Sequence, residues 1–162
     1  MKSKLYYLLI LPLFSLTFQS CSSNEETYAE WRTENEAYIE GIRNNPNYFE
    51  VSIKGGPGSV YCKEIKPSDN KTETYPLYTS QVEVRYKGTL INGTVFDDAR
   101  TTFSVNGVVQ GFAVALQNMQ KGDKWEVNIP WQLGYGTTGS GSTILPYSVL
   151  IFEVELISIC EF

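Results

Sequence analysis

Apolar residues recur at helical spacing in two short stretches of this chain, and through most of the remainder they alternate with polar ones. Tyr28, Trp31, Tyr38 or Ile39, and Ile42 step by about three or four, Thr27-Tyr-Ala-Glu30 has the form of a capping box, and Asn44-Asn45-Pro46 ends the pattern. One helix is therefore predicted over Tyr28 to Arg43, packed on the domain or serving as a spacer or dimer contact. From Phe49 the period becomes two: Phe49, Val51 and Ile53 alternate with Glu50 and Ser52 up to the Gly55-Gly-Pro-Gly58 break. Val82, Val84 and Tyr86 alternate with Glu83, Arg85 and Lys87, and Asn92-Gly93 predicts a type I′ hairpin turn into Val95-Phe96-Asp97. Lys66 to Tyr78 is polar, with Pro67 and Pro76, and reads as a surface loop. Phe112, Ala115, Leu116 and Met119 share a helical face over Gly111 to Met119, closed by Lys121-Gly122. Trp125, Val127 and Ile129, then Leu150, Phe152, Val154 and Leu156, mark two more strands. A short helix among five or six strands defines an α+β class, an antiparallel sheet holding a helix against one face.

The first residues do not fit that pattern. Lys2 and Lys4 precede an apolar run from Leu5 to Phe18 of about 14 residues, short of the roughly 20 that span a bilayer. With Ser20, Ser22 and Ser23 around Cys21, residues 1–20 read as an export signal. The segment resembles a bacterial lipoprotein leader, which implies lipidation of Cys21 as the mature N-terminus; a soluble periplasmic product is the alternative. Cys21-Ser-Ser-Asn-Glu-Glu26 resembles the acidic tethers that some Gram-negative lineages use to send lipoproteins to the cell surface. The expected location is the outer membrane, facing periplasm or exterior.

The chain's 162 residues carry a formal charge of −5, which becomes −7 once Lys2 and Lys4 leave with the signal. No basic cluster marks a nucleic-acid partner. The absence of histidine excludes Ser-His-Asp and Cys-His nucleophiles and histidine-ligated zinc. Cys21, Cys62 and Cys160 are too far apart in sequence for a CxxC pair or a four-cysteine zinc site, so neither metal nor cofactor is expected. Gly134-Tyr-Gly-Thr-Thr-Gly139 matches a dinucleotide fingerprint by spacing, but no helix pattern follows it, and Ser142 occupies the position where a phosphate loop needs lysine. Asp97 and Asp98 are neighbours on a strand and face opposite sides, so they do not form a carboxylate dyad.

The segments Val82-Glu-Val-Arg-Tyr-Lys-Gly88, Asn92-Gly-Thr-Val-Phe-Asp97, Val108-Val-Gln-Gly-Phe112, Met119-Gln-Lys-Gly122, Ile129-Pro130, Leu133-Gly-Tyr-Gly136 and Phe152-Glu-Val-Glu-Leu156 stand in one order and spacing. Together they resemble the FKBP-type peptidyl-prolyl isomerases over about Val51 to Ile159. The resemblance implies a twisted antiparallel sheet wrapped around one short helix, here preceded by an N-terminal helix. It divides the chain into a leader (1–20), a tether and helix (21–48) and an isomerase domain (49–162). It also implies a proline pocket with Phe112 as floor and Phe96, Val108, Val109, Ile144 and Phe152 as walls. Tyr135 would donate its hydroxyl to a substrate carbonyl, the Val109 N–H would bind another, and Asp97, bonded to Tyr86, would set the polarity facing the twisting imide.

The partners implied are proline-containing polypeptides, with the membrane reached through the lipid on Cys21, and the expected state is a monomer. The alternative on the same fold is a non-catalytic module that holds proline segments. Phe112 stands where the family commonly has tryptophan, Leu145 where a proline often precedes Pro146, and Asp98 to Thr102 reads as a loop shorter than is usual. Arg100 is accordingly not matched to the basic residue that often pairs with the pocket aspartate. Thr137 to Thr143 is too short to hold an inserted chaperone domain. Export leaves Cys62 and Cys160 either bonded to each other or free and buried.

Overall fold

The computed structural model describes residues 27–160 apart from 54, 57 and 70–73. The leader, Cys21 and the tether lie outside the described residues. In chain order the elements are helix α1 (Ala29–Arg43), strands β1 (Phe49–Ser52), β2 (Ser59–Lys66), β3 (Gln81–Thr89) and β4 (Val95–Ser104), helix α2 (Gln110–Leu116), and strands β5 (Lys124–Ile129) and β6 (Leu150–Cys160). The strands form one antiparallel sheet in the order β1-β2-β5-β6-β3-β4.

Strand alternation separates the two faces of this sheet. Val60, Cys62, Val82, Val84, Val127, Ile129, Val154 and Leu156 turn inward and enclose α2, whose residues from Gly111 to Leu116 are all buried. Gly111 permits the closest approach, because a Cβ there would collide with Ile129 Cγ2 and lie 3.1 Å from Val60 Cγ1. The opposite face presents Tyr61, Asn128 and Ile151, and α1 packs there. Ile39 and Ile42 of that helix join Tyr61 and Val149 in a second apolar cluster. Tyr38 donates to Asn128 Oδ1 at 2.9 Å, and Tyr48 donates to Glu126 Oε1 at 2.7 Å. The helix is thus part of the packed domain. Among the described residues no helix is long and apolar enough to cross a membrane.

Several expectations are corrected. The capping box does not form: Tyr28 is the residue that precedes the helix, no side chain caps it, and Thr27 stands one position too early. The β3–β4 turn is not type I′, which needs positive φ at two central residues. Gly93 N–H donates to Leu90 O and Leu90 N–H to Thr94 O, and of these residues Gly93 alone has positive φ, at 82°. That is a tight turn over Ile91 and Asn92 closed by a glycine bulge. Residues 98–102 are not a loop but the middle of β4, paired with Lys87 through Glu83 on β3. Cys62 and Cys160 are free thiols. Cys62 pairs with Val127, and Val127 with Phe152, whereas Cys160 lies opposite Gln81 at the far end of β6. The run from Phe152 to Cys160 covers about 26 Å at ~3.3 Å per residue, far beyond disulfide reach. Burial pushes the Cys62 thiol well above its ordinary pKa, so it stays protonated and inert.

Candidate active site

The pocket begins as a row of residues in cross-strand register. Cys62, Val127, Phe152, Gly88 and Asp97 follow one another across β2, β5, β6, β3 and β4, so their side chains share the inner face. Gly88 leaves a gap in this row, and the rings of Phe96 and Phe152 close over it edge to face with centroids 5.4 Å apart. A Cβ at Gly88 would lie 2.5 Å from Phe96 and 3.0 Å from Phe152. Phe96 and Asp97 are consecutive, yet both reach the pocket. The register slips beside them, Thr89 pairing with Val95 and Gly88 with Asp97, and this bulge sets two residues of β4 against one peptide step of β3. Asp98 then points away from the pocket, as alternation requires.

Phe112, at the start of α2 and only 3% exposed, forms the floor. Its ring lies 4.6 Å from that of Phe152, 5.9 Å from Phe103 and 6.0 Å from Tyr86, in tilted or edge contacts favoured by aromatic quadrupoles. Above this floor opens a cavity of about 640 Å³ lined also by Phe96, Val108, Val109, Ile144, Asp97 and Tyr135. The Tyr86 hydroxyl donates to Asp97 Oδ2 at 2.6 Å. Burial of the phenol, then this bond and the charge of Asp97, push the Tyr86 pKa up to about 12. The carboxylate is thereby fixed at the rim while the floor remains apolar.

The wall opposite comes from the long connection between β5 and β6. It closes on itself: Gly136 N–H donates to Trp131 O, Gly139 N–H to Tyr135 O, Ser140 and Ile144 exchange backbone bonds, and Tyr147 N–H donates to Gly136 O. Gly139 has φ of 71°, and a Cβ there would collide with the carbonyl oxygen of Ile144, so only glycine fits. Tyr147 holds φ of 64° although it is not glycine, a conformation that costs about 1–2 kcal/mol and needs outside support. The connection presents Ile144, 7% exposed, and Tyr135, 40% exposed, with the Tyr135 hydroxyl free to meet a ligand from solvent.

All of the expected pocket residues, Tyr86, Phe96, Asp97, Val108, Val109, Phe112, Tyr135, Ile144 and Phe152, line this one cavity. Phe103, Gly107, Ser140 and Thr143 line it too and were not anticipated. Phe103 has the same strand parity as Asp97, a signal that a loop over residues 98–102 would hide. Arg100 is turned to Glu83, its Nε 2.9 Å from Oε1, and does not pair with Asp97. Among the described residues no group of histidine, cysteine and carboxylates is placed to hold a metal.

A cavity of this size, floored and walled by aromatic and branched side chains and carrying the Tyr135 hydroxyl and the Asp97 carboxylate among its polar groups, has the form of a site that takes a short apolar segment of chain. Comparison with known proteins agrees. Residues 73–157 match the model of the FKBP-type peptidyl-prolyl cis-trans isomerases. The chain is 35% identical over 159 residues to the macrophage infectivity potentiator of Trypanosoma cruzi, covering 91% of this chain and 80% of that protein. It is 40% identical over 119 residues to the outer membrane protein MIP of Legionella longbeachae, covering 68% of this chain and 51% of that one. A crystal structure of a peptidyl-prolyl cis-trans isomerase from Pseudomonas syringae pv. tomato superposes with a TM-score of 0.73 at 30% identity, covering 83% of this chain and 96% of that one. The chain belongs to the FKBP-type peptidyl-prolyl cis-trans isomerase family, whose members act on proline-containing chains, and its class of activity is X-Pro isomerisation.

Proposed function

We propose that this chain accelerates rotation about X-Pro bonds of exported polypeptides by drawing the imide out of water into the Phe96–Phe112–Phe152 cage. The observation that carries this reading is the cage itself, with its ring contacts of 4.6 Å and 5.4 Å and the Tyr86–Asp97 bond at the rim. Rotation faces a barrier of about 18–20 kcal/mol set by amide resonance. The planar imide is the charge-separated form, so an apolar surrounding weakens it relative to the twisted state. Phe112 carries the proline ring, Phe96, Val108, Val109, Ile144 and Phe152 exclude water, and Tyr135 donates its hydroxyl to a substrate carbonyl. The Val109 N–H binds a second carbonyl. Asp97, held by Tyr86, opposes the carbonyl that turns. A thousandfold to millionfold acceleration needs about 4–8 kcal/mol, within reach of desolvation and two or three hydrogen bonds.

Residues 1–20 act as an export leader in this reading, and a lipid on Cys21 holds the domain, as a monomer, at the outer membrane. The name of the Legionella relative, an outer membrane protein, supports an envelope location. The test of activity is a proline-limited peptide isomerisation assay on the chain from residue 22 onward. Acceleration is expected; binding of proline peptides without acceleration would leave a non-catalytic holding module. For the anchor, the full chain expressed in a Gram-negative host should partition into detergent and carry lipid mass at Cys21, and Cys21→Ser should abolish both.

A further inference from the structure

We propose that helix α1 positions the catalytic wall, with Asn35 and Trp31 as its positioning residues. The inference rests on the isomerase reading of the pocket and assigns to it a support outside the pocket. Three consecutive residues at the end of the β5–β6 connection, Tyr147, Ser148 and Val149, are each held by a residue on one face of α1. The Arg32 guanidinium lies 5.0 Å from the Tyr147 ring centroid and 5.6 Å from that of Trp131, the two rings standing edge to face. Trp31 Nε1–H donates to Ser148 Oγ at 3.0 Å, and that hydroxyl donates to Leu145 O at 2.7 Å. Val149 N–H donates to Asn35 Oδ1 at 2.7 Å, and Asn35 Nδ2 donates back to Trp31 O at 2.7 Å.

Asn35 has no exposed surface, so neither half of its amide has water as a substitute partner. Its place is costly unless the bond to Val149 is made, and that bond fixes where the connection rejoins the sheet. From there the constraint reaches the pocket by two short routes. Tyr147, in its left-handed conformation, donates its N–H to Gly136 O, next to Tyr135. Ser148 grips Leu145 O, next to Ile144. A wall residue on each route thus takes its position from α1, an element that contributes nothing to the pocket lining.

A double-mutant cycle tests this, with kcat/KM measured on a short prolyl peptide at a temperature where each variant is fully folded. Asn35→Ala is expected to lower kcat/KM about fivefold in the parent chain and less than twofold in a Tyr135→Phe background, because both changes remove the same placed hydroxyl. Amide exchange should accelerate at Gly136 and Tyr147 while the β3 and β6 amides stay protected. Should Asn35→Ala prevent folding, Trp31→Phe, which keeps an aromatic ring and loses the pyrrole half of the indole with its N–H donor, takes its place. Unchanged activity in the folded variant, or equal losses in both backgrounds with no local change in exchange, would overturn the proposal. An inactive parent chain would overturn the isomerase reading instead, and the exchange experiment would still decide whether α1 braces the connection.

Discussion

Tyr135 and Asp97 both line the pocket, and their removal has different costs. Tyr135 is 40% exposed and packs little, so Tyr135→Phe deletes one donor and leaves the fold alone. Its kcat/KM should fall about fivefold, corresponding to ~1 kcal/mol, with no change in melting temperature. Steady-state assays beside a thermal melt check this. Asp97 is tied to Tyr86 at 2.6 Å, so Asp97→Val removes the group proposed to face the imide and also takes the acceptor from a half-buried phenol. The loss of activity should exceed that of Tyr135→Phe. The Tyr86 phenol should also ionise nearer its ordinary value of 10.0, staying somewhat above it because burial is the first cause of its shift. Ultraviolet titration of the two proteins reports that change directly.

Among the elements, α2 is held closest to the sheet at Gly111. Alanine in a free helix is favoured over glycine by roughly 0.5–1 kcal/mol. Here its Cβ would meet Ile129 and Val60, so Gly111→Ala should instead destabilise by about 1–3 kcal/mol, read from denaturant midpoints. The strands were legible in the sequence because alternation is strict where one face is buried, as from Val82 to Tyr86 and from Leu150 to Leu156. The pocket was legible where its residues fall in segments that keep one order and spacing along the chain, as Tyr86, Phe96, Asp97, Val108, Val109, Phe112, Tyr135 and Phe152 do. What escaped was geometry carried by the partner strand. Nothing within residues 98–102 marks them as strand, since four of the five are exposed and their pairing to β3 alone extends them. The type of the Asn92-Gly93 turn is set by the bulge at Gly93, and β2, with its exposed second half, offers no alternation to read. The role of α1 was hidden for the same reason: Asn35 looks like a surface residue until Val149 is brought to it.

At the scale of the whole molecule, the acidic domain carries three tyrosines whose pKa values are raised, mainly by burial: Tyr38 and Tyr86 to about 12, and Tyr48 higher still. A raised folded-state pKa means that the native state favours the protonated phenol. The stability this supplies is complete below the unfolded value near 10 and is lost as pH climbs through 12. Stability measured by urea titration should therefore be insensitive to these groups from neutrality to about pH 10 and fall between about 10 and 12, with Tyr38→Phe and Tyr86→Phe each flattening the fall. The sheet order has a consequence for assembly. β6 lies between β5 and β3, so the half formed by β1, β2 and β5 and the half formed by β3 and β4 share no strand contact except through it. The β3–β4 hairpin can close early because its turn is local, whereas β6 must find β3 across some sixty residues and β5 across a long connection. Until it docks, Phe152 is absent, and the pocket has neither the back of its cage nor the neighbour that seats Phe96 over Gly88. Completion of the pocket is thus the same event as the joining of the two half-sheets, and a chain in which β6 has not docked lacks the Phe152 side of its cage.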